Sequence, residues 1–143
     1  MLYPQLSDPD RPSVHNWLEL LDSELAQLGD GERVVIAHSL AVPLWLHAVS
    51  REPGVAQTDR VLLVSPPSPP YCPEGVEAAY PDLRLDTTIV PGGGHLDRDS
   101  GYGPWPSILA CCRDSAARIE PNWPSHVSMP IPDRRRRDGD DVA

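Results

Sequence analysis

Ser39 stands between an apolar run and the start of an amphipathic segment, in the stretch Val34–Pro43 (VVIAHSLAVP). A serine hydroxyl is presented for nucleophilic attack when it sits on a sharp turn from a strand into a helix. Such a turn needs small residues two positions away on either side, because larger side chains would collide with neighbouring backbone. Ala37 and Ala41 occupy those positions. The pattern predicts a nucleophile at Ser39; the alternative is that Ser39 only caps the helix that starts at Leu40.

A histidine, His95, comes later in the chain, after the apolar run Thr88–Val90 and the segment Pro91–Gly94. A serine after one strand and a histidine after a later strand follow the chain order of an α/β-hydrolase. The glycines before His95 allow the backbone to bend sharply there. The alternative interpretation is an ordinary histidine of a surface loop.

The elements that would position these residues alternate between helix and strand. Apolar residues recur at helical spacing from Val14 to Leu28, where Ser13 can cap the start and Gly29 can close the end. A strand at Arg33–Ala37 is apolar enough to be covered on both faces. The other expected elements are helices at Leu40–Arg51, Glu74–Tyr80 and Pro106–Ile119 and strands at Arg60–Ser65 and Leu83–Val90. This alternation predicts a parallel sheet with helices on both sides.

Length and composition restrict the class of protein. A chain of 143 residues is expected to form one domain, and its net charge of −9 argues against a nucleic-acid partner. The three cysteines have neither disulfide nor metal-site spacing, so we expect no metal. No stretch approaches the length of a membrane span and no signal peptide is apparent, so we expect a cytoplasmic protein without membrane association.

The landmarks in order resemble one family. They are Tyr3–Leu6, Trp17, Val35–Leu40, Leu62–Pro67 and, most specifically, Gly93–Leu96 followed by Ser100–Pro106 (SGYGPWP). Over residues 2–112 the chain is similar to the small serine hydrolases related to retinoblastoma-binding protein 9. Compared with them, we expect it to be truncated at the N-terminus and shortened internally.

The resemblance implies a three-layer α/β-hydrolase-like parallel sheet, reduced in strand number. It implies that Ser39 is the nucleophile, that His95 is the general base and that the N–H of Leu40 is an oxyanion donor. The implied reaction is acyl transfer on a small ester or amide, with no cofactor. We expect a truncated hydrolase domain at residues 1–119 and a disordered tail, rich in Pro, Arg and Asp, at residues 120–143.

The chain departs from the family pattern at the acid of the catalytic triad. The family has an acid just before a Pro-Tyr pair, whereas here Pro69 precedes Pro70 and Tyr71. Three other carboxylates are candidates for the role, and sequence alone places none of them beside His95: Asp82, Asp86 and Asp97.

Two hypotheses follow from these observations. The first is a weak or degenerate serine hydrolase of the esterase or amidase type. The second is a catalytically inactive binding module with the same fold, which would self-associate through a sheet edge exposed by the lost strands.

Overall fold

The computed structural model describes residues 2–8, 10–51, 58–72, 87–88, 90 and 93–120. The chain divides into two compact units, residues 1–86 and residues 87–143. The predicted helix at Glu74–Tyr80 lies outside the described residues, as do most of the predicted strand at Leu83–Val90 and nearly all of the predicted tail.

The described residues of the first unit form two α-helices and a small parallel sheet. The helix α1 spans Val14–Leu25, the strand β1 spans Val34–His38, the helix α2 spans Ala41–Arg51 and the strand β2 spans Arg60–Val64; a short 3-10 turn follows at Pro69–Tyr71. β1 and β2 pair in parallel, with Val34 opposite Arg60 and His38 opposite Val64. The prediction of a mixed α/β fold with parallel strands is therefore confirmed, but the described sheet has only two strands.

Two contacts link the chain where the two strands begin. The carboxylate of Asp59 accepts a hydrogen bond from the backbone N–H of Arg33 at 2.7 Å. The Arg60 guanidinium donates to the carboxylate of Glu32, also at 2.7 Å. The parallel pairing brings the carboxyl ends of both strands to the same end of the sheet.

One face of the sheet is buried against the helices. Ala37 of β1 packs in a cluster with Val42 and Trp45 of α2, and Leu63 of β2 borders the same cluster. Ile36 points to the opposite face and keeps 45% of its surface exposed. The prediction of a strand covered on both faces is therefore wrong for β1, because only the face that carries Ala37 is closely packed.

A second cluster joins α1 to α2 and contains Trp17, Leu18, Leu44 and Ala48. Trp17 is 1% exposed, and its indole N–H donates to the carbonyl of Ser7 at 2.7 Å. This bond ties the segment before α1 to the core.

The predicted start of α1 is confirmed, whereas its predicted end is wrong. Ser13 caps the helix by accepting the N–H of Asn16 at 3.4 Å. The helix ends at Leu25 rather than near Gly29, because the chain tightens there into turns in which Leu28 N–H bonds to Leu25 O. The Arg33 guanidinium then donates hydrogen bonds to the carbonyls of Leu28 and Gly29.

The second unit contains the helix α3, Pro106–Arg113. Pro106 opens the first turn, where a missing N–H costs nothing. The prediction that this helix continues to Ile119 is wrong, because Asp114 adopts an extended backbone and its carboxylate accepts the N–H of Ala116 at 2.8 Å. An aspartate side chain that bonds to nearby backbone in this way competes with helix continuation. Among the described residues, no helix is long and apolar enough to cross a membrane.

Candidate active site

Ser39 occupies the turn between β1 and α2, as the sequence predicts. Its backbone has φ +56°, in the left-handed region that residues with a side chain rarely adopt. Its N–H donates to Val64 O at 3.0 Å, and its carbonyl accepts the N–H of Val42 at 2.9 Å. The strained residue is therefore held on one side by the neighbouring strand and on the other by the first turn of α2.

The small residues around Ser39 are where the turn needs them. Ala37 is 3% exposed and packs directly against Val42 and Trp45, with Ala41 at the border of the same cluster. A larger side chain at Ala37 would displace α2 from β1. Ser39 contacts the first turn of α2 through its own backbone, since its carbonyl accepts the N–H of Val42.

Leu40, the predicted oxyanion donor, directly precedes α2. Its carbonyl accepts the N–H of Leu44 at 3.4 Å and so belongs to the helical ladder. Within the part of the chain that the structure describes, no carbonyl accepts the Leu40 N–H. The first N–H groups of a helix are the ones left without intrahelical partners, and they carry the positive end of its dipole.

Ser65, at the carboxyl end of the sheet, is a residue that sequence reasoning missed. It follows β2 directly, and the pairing of His38 with Val64 places it next to Ser39. Its φ is +45°, so two adjacent serines of the sheet edge hold left-handed backbones. The sequence gives the opposite signal, since a residue before proline normally adopts an extended backbone, and Pro66 follows.

His95 lies in the second unit, in a turn that starts at Gly93 and leads towards α3. Gly94 has φ +56°, which confirms the sharp bend predicted from the glycines. Gly93 is closely surrounded as well, because an added Cβ would lie 2.6 Å from Leu96 Cδ2 and 3.0 Å from Val90 O. The His95 side chain is exposed, and its backbone N–H donates to the Ser100 hydroxyl at 3.0 Å.

Asp97 is the one candidate acid that the structure describes, and it lies in the same turn as His95. Its carboxylate accepts the N–H of Ser100 at 2.8 Å. Hydrogen bonds from the side chain and the backbone of Ser100, followed by the charge of His95, hold the pKa of Asp97 below its usual value. Asp82 and Asp86 lie outside the described residues.

The aromatic residues of the SGYGPWP run pack beside this turn. Tyr102 is buried, and its ring lies 5.3 Å from that of Trp105, centroid to centroid. The Trp105 indole donates to Glu120 O at 2.7 Å, and the Ser107 hydroxyl donates to the same carbonyl at 2.9 Å. These contacts fix the chain that enters α3.

Comparison with known proteins identifies the family. A family model described as serine hydrolase matches residues 4–84, more than half of the chain. This chain belongs to the serine hydrolase family. No curated protein and no solved structure matches it.

The serine hydrolase match includes the whole Ser39 turn and ends before His95. The narrower relationship to hydrolases like retinoblastoma-binding protein 9, and the truncation and shortening inferred with it, stay predictions. Ser39, Leu40 and Ser65 are brought together in the first unit, while Asp97 and Ser100 accompany His95 in the second. Asp97 is already a candidate acid from the sequence, whereas Ser100 was missed, because side-chain contacts within a turn have no periodic signal. Among the described residues, no group of three or more His, Cys, Asp or Glu side chains could hold a metal ion.

Proposed function

We propose that this serine hydrolase transfers acyl groups from small esters or amides to water. Ser39 is the nucleophile, His95 is the general base and the Leu40 N–H donates to the oxyanion. The observation that carries the proposal is the left-handed backbone of Ser39 at the tip of a parallel strand. Strain of this kind is the mark of a nucleophile on a strand-to-helix turn, and it occurs here in a chain of the matching family.

The proposed reaction proceeds in two halves. His95 takes the Ser39 proton as the serine oxygen bonds to the carbonyl carbon, and the resulting oxyanion accepts the Leu40 N–H. The intermediate collapses, and the leaving group departs with the proton from His95. In the second half, His95 takes a proton from water as the water oxygen attacks the acyl carbon. The proton then passes from His95 to the Ser39 oxygen as the acid departs, which restores the hydroxyl.

We expect the enzyme to be slow. Only one oxyanion donor is assigned, and the loss of one of two donors typically costs about 10²–10³ in turnover. In addition, Pro69 stands where the resemblance places the triad acid. A fluorophosphonate probe suits a slow enzyme, because it detects one covalent event per molecule.

The test is to treat the full chain with a fluorophosphonate and to measure intact mass against time. We expect one adduct on Ser39, none in Ser39→Ala, and a rate at least about 10² lower in His95→Ala, because the serine then lacks its base. Ser65→Ala is the matched control and should keep the adduct, since it removes a hydroxyl from the same sheet edge.

Absence of an adduct on a folded sample would contradict the proposal and favour the inactive binding module. If the adduct forms equally fast in His95→Ala, Ser39 is still the nucleophile but His95 is not its general base. If Ser65→Ala lost the adduct and Ser39→Ala kept it, the nucleophile would be Ser65 and the proposed assignment to Ser39 would be wrong.

A further inference from the structure

The turn that carries His95 is closed by two of its own side chains. The backbone N–H of His95 donates to the Ser100 hydroxyl at 3.0 Å. The N–H of Ser100 donates in turn to the Asp97 carboxylate at 2.8 Å, and the carbonyl of Asp97 accepts the N–H of Tyr102 at 2.9 Å. A continuous chain of hydrogen bonds thus runs from the His95 backbone to the buried Tyr102.

The Ser100 hydroxyl also packs tightly against the backbone just before His95. A Cβ added to Gly94 would lie 2.8 Å from Ser100 Oγ and 3.1 Å from Ser100 Cβ. Gly94 has a left-handed backbone, so its conformation and its lack of a side chain both fit the position of Ser100. The backbone that leads into His95 is therefore fixed by Ser100 through both a hydrogen bond and close packing.

The carboxylate of Asp97 is suited to anchor this arrangement. Its hydrogen bonds from Ser100, with a further contribution from the charge of His95, hold its pKa below the usual value, so it stays ionised at neutral pH. A hydrogen bond to an ionised acceptor is stronger than one between neutral groups. The Asp97–Ser100 contact is thus a hydrogen bond to a charged acceptor, at 2.8 Å.

A general base works only when its ring is held in the right orientation by a further group. We propose that Ser100 and Asp97 are positioning residues that orient His95 through its backbone. This inference rests on the proposed function, in which His95 is the base. It assigns the orienting role to hydrogen bonds within the turn, in a chain where Pro69 replaces the expected acid.

The test compares variants that remove each hydrogen bond with variants that keep it, in the full chain. Ser100→Ala should lower the rate of fluorophosphonate labelling between about tenfold and a hundredfold, the usual effect of a misplaced catalytic group. Ser100→Thr retains the hydroxyl and should restore labelling to within about threefold, since a conserved hydrogen bond loses little. Asp97→Ala should behave like Ser100→Ala, whereas Asp97→Asn keeps an acceptor oxygen and should retain most of the rate.

Asp99→Ala is the matched control, because Asp99 is an exposed carboxylate of the same turn. We expect it to label at the rate of the unsubstituted protein. A second readout is hydrogen exchange of the His95 backbone amide by NMR, which should be about tenfold faster in Ser100→Ala and unchanged in Ser100→Thr, because only the first loses the acceptor. Rescue by the conservative variants separates positioning from a general loss of stability.

The outcomes distinguish this inference from the proposed function. If labelling requires Ser39 and His95 but is unchanged in Ser100→Ala and Asp97→Ala, the inference is overturned and the proposed function stands. If Ser100→Ala and Ser100→Thr lose labelling equally, positioning by the hydroxyl is excluded. If the unsubstituted protein forms no adduct, or His95→Ala labels normally, the proposed function fails and the inference fails with it.

Discussion

At the scale of single residues, two serines at the carboxyl end of the sheet hold a backbone conformation that raises the free energy of the folded state. A left-handed backbone at a residue with a side chain costs roughly 1–2 kcal/mol, and Ser39 and Ser65 both adopt it at neighbouring positions. Such strain persists only where the surrounding structure enforces it, and it concentrates at functional sites.

Ser39→Gly should therefore stabilise the protein while it abolishes reaction with fluorophosphonate. Glycine has no Cβ to oppose φ +56°, but it also loses more backbone entropy on folding, so we expect a net gain of about 0.5–1 kcal/mol in the free energy of unfolding. Denaturant unfolding measures the gain, and intact mass measures the lost adduct. Ser39→Ala retains the strain and should lose the adduct without the gain.

Ser65→Gly provides the control at the adjacent position. It should raise the free energy of unfolding by a similar amount, because Ser65 has φ +45°, and it should keep the Ser39 adduct. Equal stabilities of Ser39→Gly and Ser39→Ala would show that the turn is not strained at Ser39.

At the scale of elements, the nucleophile depends on the packing of α2. Leu44 lies in the cluster with Trp17 and Leu18, so the helix that begins after Ser39 is anchored on α1. The other side of α2 packs on Ala37 of β1 through Val42 and Trp45. α2 is thus clamped between a helix and a strand, and the turn at its start inherits that rigidity.

Leu44→Ala should lower the free energy of unfolding by about 2–5 kcal/mol, the usual cost of a cavity left by a buried leucine. Leu44 is 3% exposed, whereas Val49 of the same helix is 38% exposed. Val49→Ala is therefore the control and should cost less than about 1 kcal/mol. Denaturant unfolding compares the two; similar losses would show that α2 does not dock through Leu44.

The sequence predicts these elements well where a periodic apolar pattern meets a strong boundary signal. The start of α1 at Val14 follows from its cap, and β1 and β2 lie within one residue of their predicted bounds. The ends of α1 and α3 differ from prediction because tight turns follow Leu25 and because Asp114 bonds to nearby backbone, which no periodicity reveals.

The candidate site divides in the same way. The sharp turn at Ser39 follows from its small neighbours, since steric limits act locally and can be read from residue types. The contacts of Ser100 with His95 and Asp97 depend on side-chain directions within an irregular turn, and the left-handed Ser65 contradicts the rule for residues before proline.

At the scale of the whole molecule, the family match and the compact units coincide. Residues 4–84 match the serine hydrolase family and fall within the unit of residues 1–86. The proposed nucleophile therefore belongs to the part of the chain that carries the family signal, and the proposed base belongs to the other unit. Labelling that depends on both Ser39 and His95 would show that both residues take part in the reaction.

The sheet also bears on the association of whole molecules. Within the described residues β1 and β2 form a two-stranded sheet. An unpaired strand edge is a template for pairing with another chain. The net charge of −9 opposes such contact, and salt screens it over a Debye length that falls from about 30 Å at 0.01 M to about 3 Å at 1 M.

We predict that the full chain self-associates through a strand edge of this sheet. We expect association to strengthen with salt, because screening weakens the repulsion between the negatively charged chains while the backbone hydrogen bonds between strands remain. Light scattering at rising protein concentration should give an increasing average mass, with a larger increase at 1 M than at 0.01 M salt. Ile36→Thr distinguishes association through a strand edge from association through the exposed sheet face. The variant lowers the apolar area of that face without a change in charge. Association that persists in this variant supports the edge, and association that disappears assigns it to the face around Ile36. A monomer at every concentration in high salt would contradict self-association by either route.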